Sequence, residues 1–561
     1  GGANGDGAAG GNAVGGGILV EANGSGTVAL SQLTIDASAN SGGASSASSG
    51  GNTARSGDAQ GGTALLRTSN VSTLAINTGL SIDVSGRAVS SENVGSGTGG
   101  GASLSAIESS TISVGDAIDV TAFGGSQSSA IPVVAGSGTG GTVDLLADLS
   151  GTISASNYSL DASASVVNVS GTNGPAQGGF MTMTALNGGL IRATNDGVDQ
   201  LNVSAQTGVS TAGSSATGGS ITIFANEADM QFSNPVFSAS GVSGGATDPN
   251  ATGVVGIGGL IQIGTGFDPA HGIDLGGGLN ADADGRTFVD VEAAPGLPRD
   301  TSGDGQGGTI NVQVSGGSLT GGSLFLTANG YGGASGSNST GRGGAVTFTQ
   351  IGGDTSLGDV TLNADGIGGE FAGPAGGGVS GDGIGGNTSL EITGGTFTAS
   401  DVSLSASGQG GRGFDGDDFD FLNPTAAGDG GNGQGGGAGI SIADTAVVNT
   451  TVLAAYASGR GGDGGDYRTV GSVPGNGGNA GFGSGGNATI RLNGGELASD
   501  AVTVDASGFG GAGGSAFLSS SSGPSTSVGT GGRGGDAFGG FATIGLGPTL
   551  VNISESITTD R

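Results

Sequence analysis

The chain has 561 residues, among them 133 Gly and 12 Pro, and its 46 acidic residues against 13 basic ones give a formal charge of -33. There is no Cys, so a disulfide scaffold, a thiolate zinc site and a cysteine nucleophile are excluded; all basic residues are Arg, so lysine chemistry is excluded as well. A chain of pI about 4.1 is repelled by phosphate, which argues against a nucleic-acid partner.

Gly and Pro together make up about a quarter of the chain, at the edge of low complexity, yet the mean hydropathy of +0.08 is high for a disordered polymer. No apolar run approaches the roughly 20 residues of a membrane helix, so no membrane insertion is expected in this segment. The sequence opens at Gly1-Gly2-Ala3-Asn4 inside its own pattern, with no signal-peptide h-region, and reads as an interior piece of a longer chain.

Gly pairs followed by an alternating strand recur from end to end. The second Gly of each pair falls at Gly17, Gly62, Gly101, Gly141, Gly179, Gly219, Gly259, Gly308, Gly344, Gly386, Gly437, Gly486 and Gly540. These open about thirteen units with no shift in composition between them. Residues 1–561 therefore read as one continuous repeat array, not the several domains that length alone suggests.

Within a unit the register is tight. From Gly308, Gly344, Gly386 and Gly486 a second Gly pair ends nine residues on, an aliphatic residue (Leu324, Val360, Val402, Val502) follows after seven more, and an Ala (Ala328, Ala364, Ala406, Ala506) closes a core of 20 residues. The same count joins Gly17 to Ala37, Gly219 to Ala239 and Gly437 to Ala457, whereas the unit at Gly259 reads as interrupted, with its Ala at Ala293. Alternation in Ala345-Val346-Thr347-Phe348-Thr349 and in Val502-Thr503-Val504-Asp505-Ala506 predicts short strands, and no apolar pattern has the helical period. One such strand cannot bury its face alone, but thirteen stacked in parallel at about 4.8 Å can. The predicted fold is all-β: a parallel β-helix, or β-solenoid, with Val, Leu, Ile and Ala inside and long Gly-rich return loops.

The position before the closing Ala holds Asp36, Asp161, Ser204, Thr327, Asn363, Ser405, Tyr456 and Asp505 and is expected to face outward, its acids spaced by neutral residues. After the Ala, five consecutive units keep Gly-x-Gly-Gly, which predicts a side-chain column of Tyr331, Ile367, Gln409, Arg460 and Phe509 with Arg460 covering Phe509. Two accounts suit the variable segments: a further coil face, or an ordered Gly-rich return stacked on its neighbours. The second is favoured for the last third, in segments such as 428–437 and 475–486.

Chemistry-bearing residues are few. Asp415, Asp417, Asp418 and Asp420 crowd one short stretch, and Asp463 and Asp466 occupy the corresponding place one unit later. Clustered carboxylates on a Gly-rich loop suit Ca²⁺, and Gly461-Gly462-Asp463-Gly464-Gly465-Asp466 and Gly531-Gly532-Arg533-Gly534-Gly535-Asp536 resemble the repeat of calcium-binding β-rolls; solvated acidic loops give the same composition. His271 follows Asp268, Pro269 and Ala270 in an irregular stretch and reads as an exposed loop residue. Asn-x-Ser/Thr sequences such as those at Asn70, Asn338 and Asn387 follow from composition.

The repeat, as in Gly485-Gly486-Asn487-Ala488-Thr489-Ile490-Arg491-Leu492-Asn493-Gly494-Gly495 followed by Val502-Thr503-Val504-Asp505-Ala506, resembles the shaft of large bacterial surface adhesins of the filamentous haemagglutinin type. The resemblance implies a right-handed β-helical stalk, exported and held at the cell surface or outside the cell. Three functions are then in play: a structural or adhesive stalk, not an enzyme, that presents loops to a cell-surface glycan or matrix component; a filament or sheath subunit joined end to end; or a polysaccharide-degrading enzyme with Asp415, Asp417 and Asp418 beside Arg412 as its focus.

Overall fold

The computed structural model describes residues 10–42, 56–90, 93–128, 133–167, 171–208, 213–244, 254–287, 303–333, 339–370, 378–417, 426–469, 475–518, 529–547 and 550–560. All regular structure among them is β, and every strand pairing is parallel. The chain winds as a β-solenoid. In the coil that opens at Gly344, three strands, Ala345–Gln350, Asp354–Ser356 and Val360–Asn363, line the core, and each pairs with its counterparts one coil before and one coil after. Phe348, for example, lies between Val312 and Leu390. Two narrower stacks complete the coil: a 12-stranded corner stack, to which Gly366–Ile367 belongs, and a 13-stranded return stack, to which Gly383–Ile384 belongs.

Alternation decides which side chains go inside. In Ala345–Gln350 the residues Val346, Phe348 and Gln350 are buried and the intervening ones face out. Stacked over successive coils, the inward residues form one apolar cluster that runs from Ile35 to Ala542. Phe348 and Phe397, on adjacent coils, meet edge to face with ring centroids 5.6 Å apart, and both are fully buried.

The corner between the first and second strands is tight and left-handed. In the early coils it is a four-residue turn, as at Ile107–Ser110, with Glu108 and Ser109 at φ of 58 and 57 and the Ser110 amide donating to the Ile107 carbonyl. Later coils use the second Gly pair, with Gly353, Gly395 and Gly495 at φ of 74, 75 and 73.

The opening Gly pair forms a neck. Here the returning chain crosses the end of the preceding core: the Gly344 amide donates to the Ala328 carbonyl and the Gly386 amide to the Ala364 carbonyl, both at 2.7 Å. A Cβ on Gly343 would lie 1.9 Å from the Ala364 oxygen, so the crossing excludes any side chain.

The geometry moves several residues from their expected places. Runs of three Gly hide the register. The strand partner of Thr63 is Gly17, and that of Asn487 is Gly437, so the neck residues of those coils are Gly16 and Gly436 and the core there counts 21 residues, not 20. The extra residue after Gly436 is taken up by a register shift between Asp444 and Val447. In the coil at Gly259 the closing residue is Ala283, fully buried and bonded to the Gly308 amide, not Ala293, which lies outside the described residues. The outward column runs through Asn202, not Ser204, because buried Val203 takes the closing place there, and it brings Asp36 and Asp83 onto adjacent rungs.

The column Tyr331, Ile367, Gln409, Arg460, Phe509 forms as expected. The described cation–π contact on it is not at Phe509 but at its first member, where Arg286, one rung before Tyr331, lies 4.8 Å from the Tyr331 ring centre. Both accounts of the variable segments hold, each in its own part. In the first half the corner and return strands enclose small secondary cores, such as Ala135, Ala164, Val166, Ala176, Ala205 and Ala216. Toward the end, Gly replaces these apolar residues and the returns become stacked Gly-rich legs.

Candidate functional site

The acidic stretches lie on those legs, which follow a period of three. In Gly459-Arg460-Gly461-Gly462-Asp463-Gly464-Gly465-Asp466, the Gly462 and Gly465 amides donate to the Gly431 and Gly428 carbonyls on the returning leg of the preceding coil, at 2.8 and 2.9 Å. The Gly461 and Gly464 amides donate the other way, to Phe509 and Ala512 of the following coil, both at 2.8 Å. The third set uses side chains: Asp466 N–H donates to Asp415 Oδ1 at 2.9 Å. Bonds in three directions with a three-residue repeat are those of packed polyproline-II legs, in which only every third residue has room for a side chain. A Cβ on Gly462 would sit 1.9 Å from the Gly411 oxygen and one on Gly461 2.1 Å from the Gly481 oxygen.

The Asp residues therefore have a structural task. Asp463 Oδ1 accepts the Ala512 amide at 2.7 Å and Asp466 Oδ1 accepts the Ser515 amide at 2.6 Å. On the returning leg, Asp429 does the same for Asn479, Asn479 for Arg533, and Asn432 for Phe482. Each acceptor belongs to one coil and each donor to the next, so the side chain supplies the inter-rung bond that the backbone cannot make at that position. Asp415 is also paired with Arg412 at 2.9 Å, both side chains half exposed, and Arg533 and Asp536 repeat this i,i+3 geometry. The backbone of Asp417 pairs with Arg468 of the next coil, while Asp418 and Asp420 lie outside the described residues. Among the described residues no three acidic or His side chains converge as a metal site.

A second polar series runs up the corner next to the closing Ala. Asp284 is buried; its Oδ1 accepts the Asn329 amide at 2.7 Å and its Oδ2 accepts from Arg286 Nη2 at 2.6 Å. Asn329 Oδ1 accepts the Asp365 amide, and Asp365 Oδ1 accepts the Ser407 amide, each at 2.7 Å. In the outward column, Asp36, Asp161, Asn202 and Asp505 each cap the amide two residues on, and Asp282 does the same for Asp284 itself. Burial, reinforced by the Asp282 charge, pushes the Asp284 carboxyl up to about 6 against the opposing bond from Arg286. Burial also raises Asp365 and Asp199; the latter accepts the Tyr158 and Ser233 amides.

His271 is not a freely exposed loop residue. Its side chain is 32% exposed, its Nδ1 lies 3.3 Å from Asp229 Oδ1, and its carbonyl accepts the Ser318 amide, so it ties the inserted corner at 266–271 to both neighbouring coils.

Sequence reading located the acidic residues but missed their role. The signal was an Asp or Asn recurring at one leg position from coil to coil, as in Asp429 and Asn479. Between the column of Ile367, Gln409 and Arg460 and the next outward column, Glu370, Arg412 and Asp463, lies a groove of about 270 Å³ floored by Gly backbone. No protein-family model, no curated protein and no solved structure matches this chain.

Proposed function

We propose that the chain is the shaft of an extracellular or cell-surface protein: a structural and adhesive stalk, similar in its repeat to adhesins of the filamentous haemagglutinin type, that carries loops away from the cell. The observation that supports this most is the single apolar cluster, which passes through every coil from Ile35 to Ala542 without a break. Stacking is what the inward residues achieve, and the described Asp and Asn side chains of the legs serve the same stacking. Thirteen rungs at about 4.8 Å make a rod roughly 60 Å long. Small-angle scattering of the purified chain, with antibody labelling of intact producing cells, tests the reading. A monodisperse rod of that length and surface labelling are expected. Polymers that grow with concentration would favour a filament or sheath subunit instead, and labelling only after lysis would overturn the surface role.

A further inference from the structure

We infer that the Gly-floored groove across the coils at Gly366, Gly408 and Gly459 is a binding site for an extended neutral glycan. It follows from the three-residue period. Side chains are admitted at Gln409 and Arg412 on one leg and at Arg460 and Asp463 on the next, so two ridges run along the solenoid about 9 Å apart, three residues at about 3.1 Å each. Between them lies Gly with no Cβ. The result is a straight trough parallel to the rod axis, open to solvent and about 270 Å³ over three coils.

The chemistry of the trough selects among polymers. Its floor offers no free backbone edge, since the Gly410 amide donates to the Arg460 carbonyl and the Gly461 amide to the Phe509 carbonyl, so an extended peptide gains no strand pairing there. The ridges instead present planar polar groups, the Gln409 amide and the Arg460 guanidinium, which bind vicinal hydroxyls as paired donors and acceptors. The first ridge continues into Phe509, a residue 54% exposed that offers an apolar face for a sugar ring. Charge argues against an acidic polymer: Arg412 and Arg460 face Glu370, Asp463 and Asp415 on a molecule of charge -33.

The inference rests on the stalk reading for its biological setting, but its test is separate. Neutral oligosaccharides (cello-, malto- and chitohexaose) and anionic polygalacturonate are titrated into the full chain, its Arg460→Ala and Phe509→Ala variants, and Thr347→Ala on the outer face of the main sheet as a control. Circular dichroism confirms that each variant is folded. One neutral series is expected to bind with a Kd below about 1 mM, weakened about tenfold or more by each groove variant and unchanged in the control. Absence of neutral binding in that range, indifference to both groove variants, or preference for polygalacturonate would overturn the groove. A rod that scatters as expected yet binds none of these sugars would leave the stalk standing and remove only the glycan site.

Discussion

Val71 is a β-branched residue at φ of 61, preceded by Asn70 at 55, in the turn where the Ser72 amide donates to the Ser69 carbonyl. Left-handed backbone costs a branched L-residue about 1–2 kcal/mol, and Asn far less. Val71 is 63% exposed and so loses little packing on replacement. Val71→Asn should stabilise the protein by about 1 kcal/mol in urea unfolding, and an unchanged or lower midpoint would place compensation for the strain elsewhere in the coil. The same scale separates capping from metal binding at the legs. Asp463→Asn retains an oxygen for the Ala512 amide and should melt close to wild type, whereas Asp463→Ala should lose about 1 kcal/mol. Capping is indifferent to Ca²⁺ and to chelator. A rise in Tm with Ca²⁺ that Asp463→Asn abolishes would instead assign that carboxylate to a metal.

A Gly leg behaves differently from a core strand because it has no side chains to remove and no space to add one. Gly462→Ala places a methyl 1.9 Å from a backbone oxygen of the preceding coil, which forces the legs apart while leaving the apolar cluster intact. Hydrogen exchange should then accelerate at the Gly462, Gly481 and Gly511 amides, which belong to one bonded series, and remain slow at core amides such as Phe348. Loss of protection in both places would mean that core and legs unfold as one unit. This division also explains what could be read in advance. Core strands are legible because alternation writes burial directly into the sequence, and the corner column was legible because Gly-x-Gly-Gly repeats without insertions. Gly437 was misassigned because three consecutive Gly are equivalent as letters and only strand pairing separates them. The caps at Asp463 and Asp505 escaped because an acidic residue in a Gly-rich stretch looks solvated unless the amide that it accepts, on the next coil or two residues on, is in view.

Across the whole molecule, the charge of -33 and the buried carboxyls act in the same direction with pH. Burial raises Asp199, Asp284 and Asp365 above their ordinary value, so the folded chain binds protons that the unfolded chain releases. For Asp284 the resulting stabilisation is fully present below the unfolded value of 3.8 and is lost as the pH rises through about 6. Self-repulsion among the exposed carboxylates also relaxes on acidification. Asp36 works in the opposite sense: the hydrogen bonds from Ser38 hold it below its ordinary value, so its contribution fades as the pH falls, but it is exposed and screened. The sum predicts a protein more stable at pH 5 than at pH 7.5, unlike one held together by surface ion pairs. Thermal melts followed by circular dichroism over that interval should show Tm rising as the pH falls. In Asp284→Asn, which cannot titrate, part of that rise should disappear. Asp36, held below 3.8, stays ionised in both states across this interval, so a Tm that is level or falls between pH 7.5 and pH 5 would mean that the buried carboxyls of the corner series are already ionised there and do not set the pH dependence.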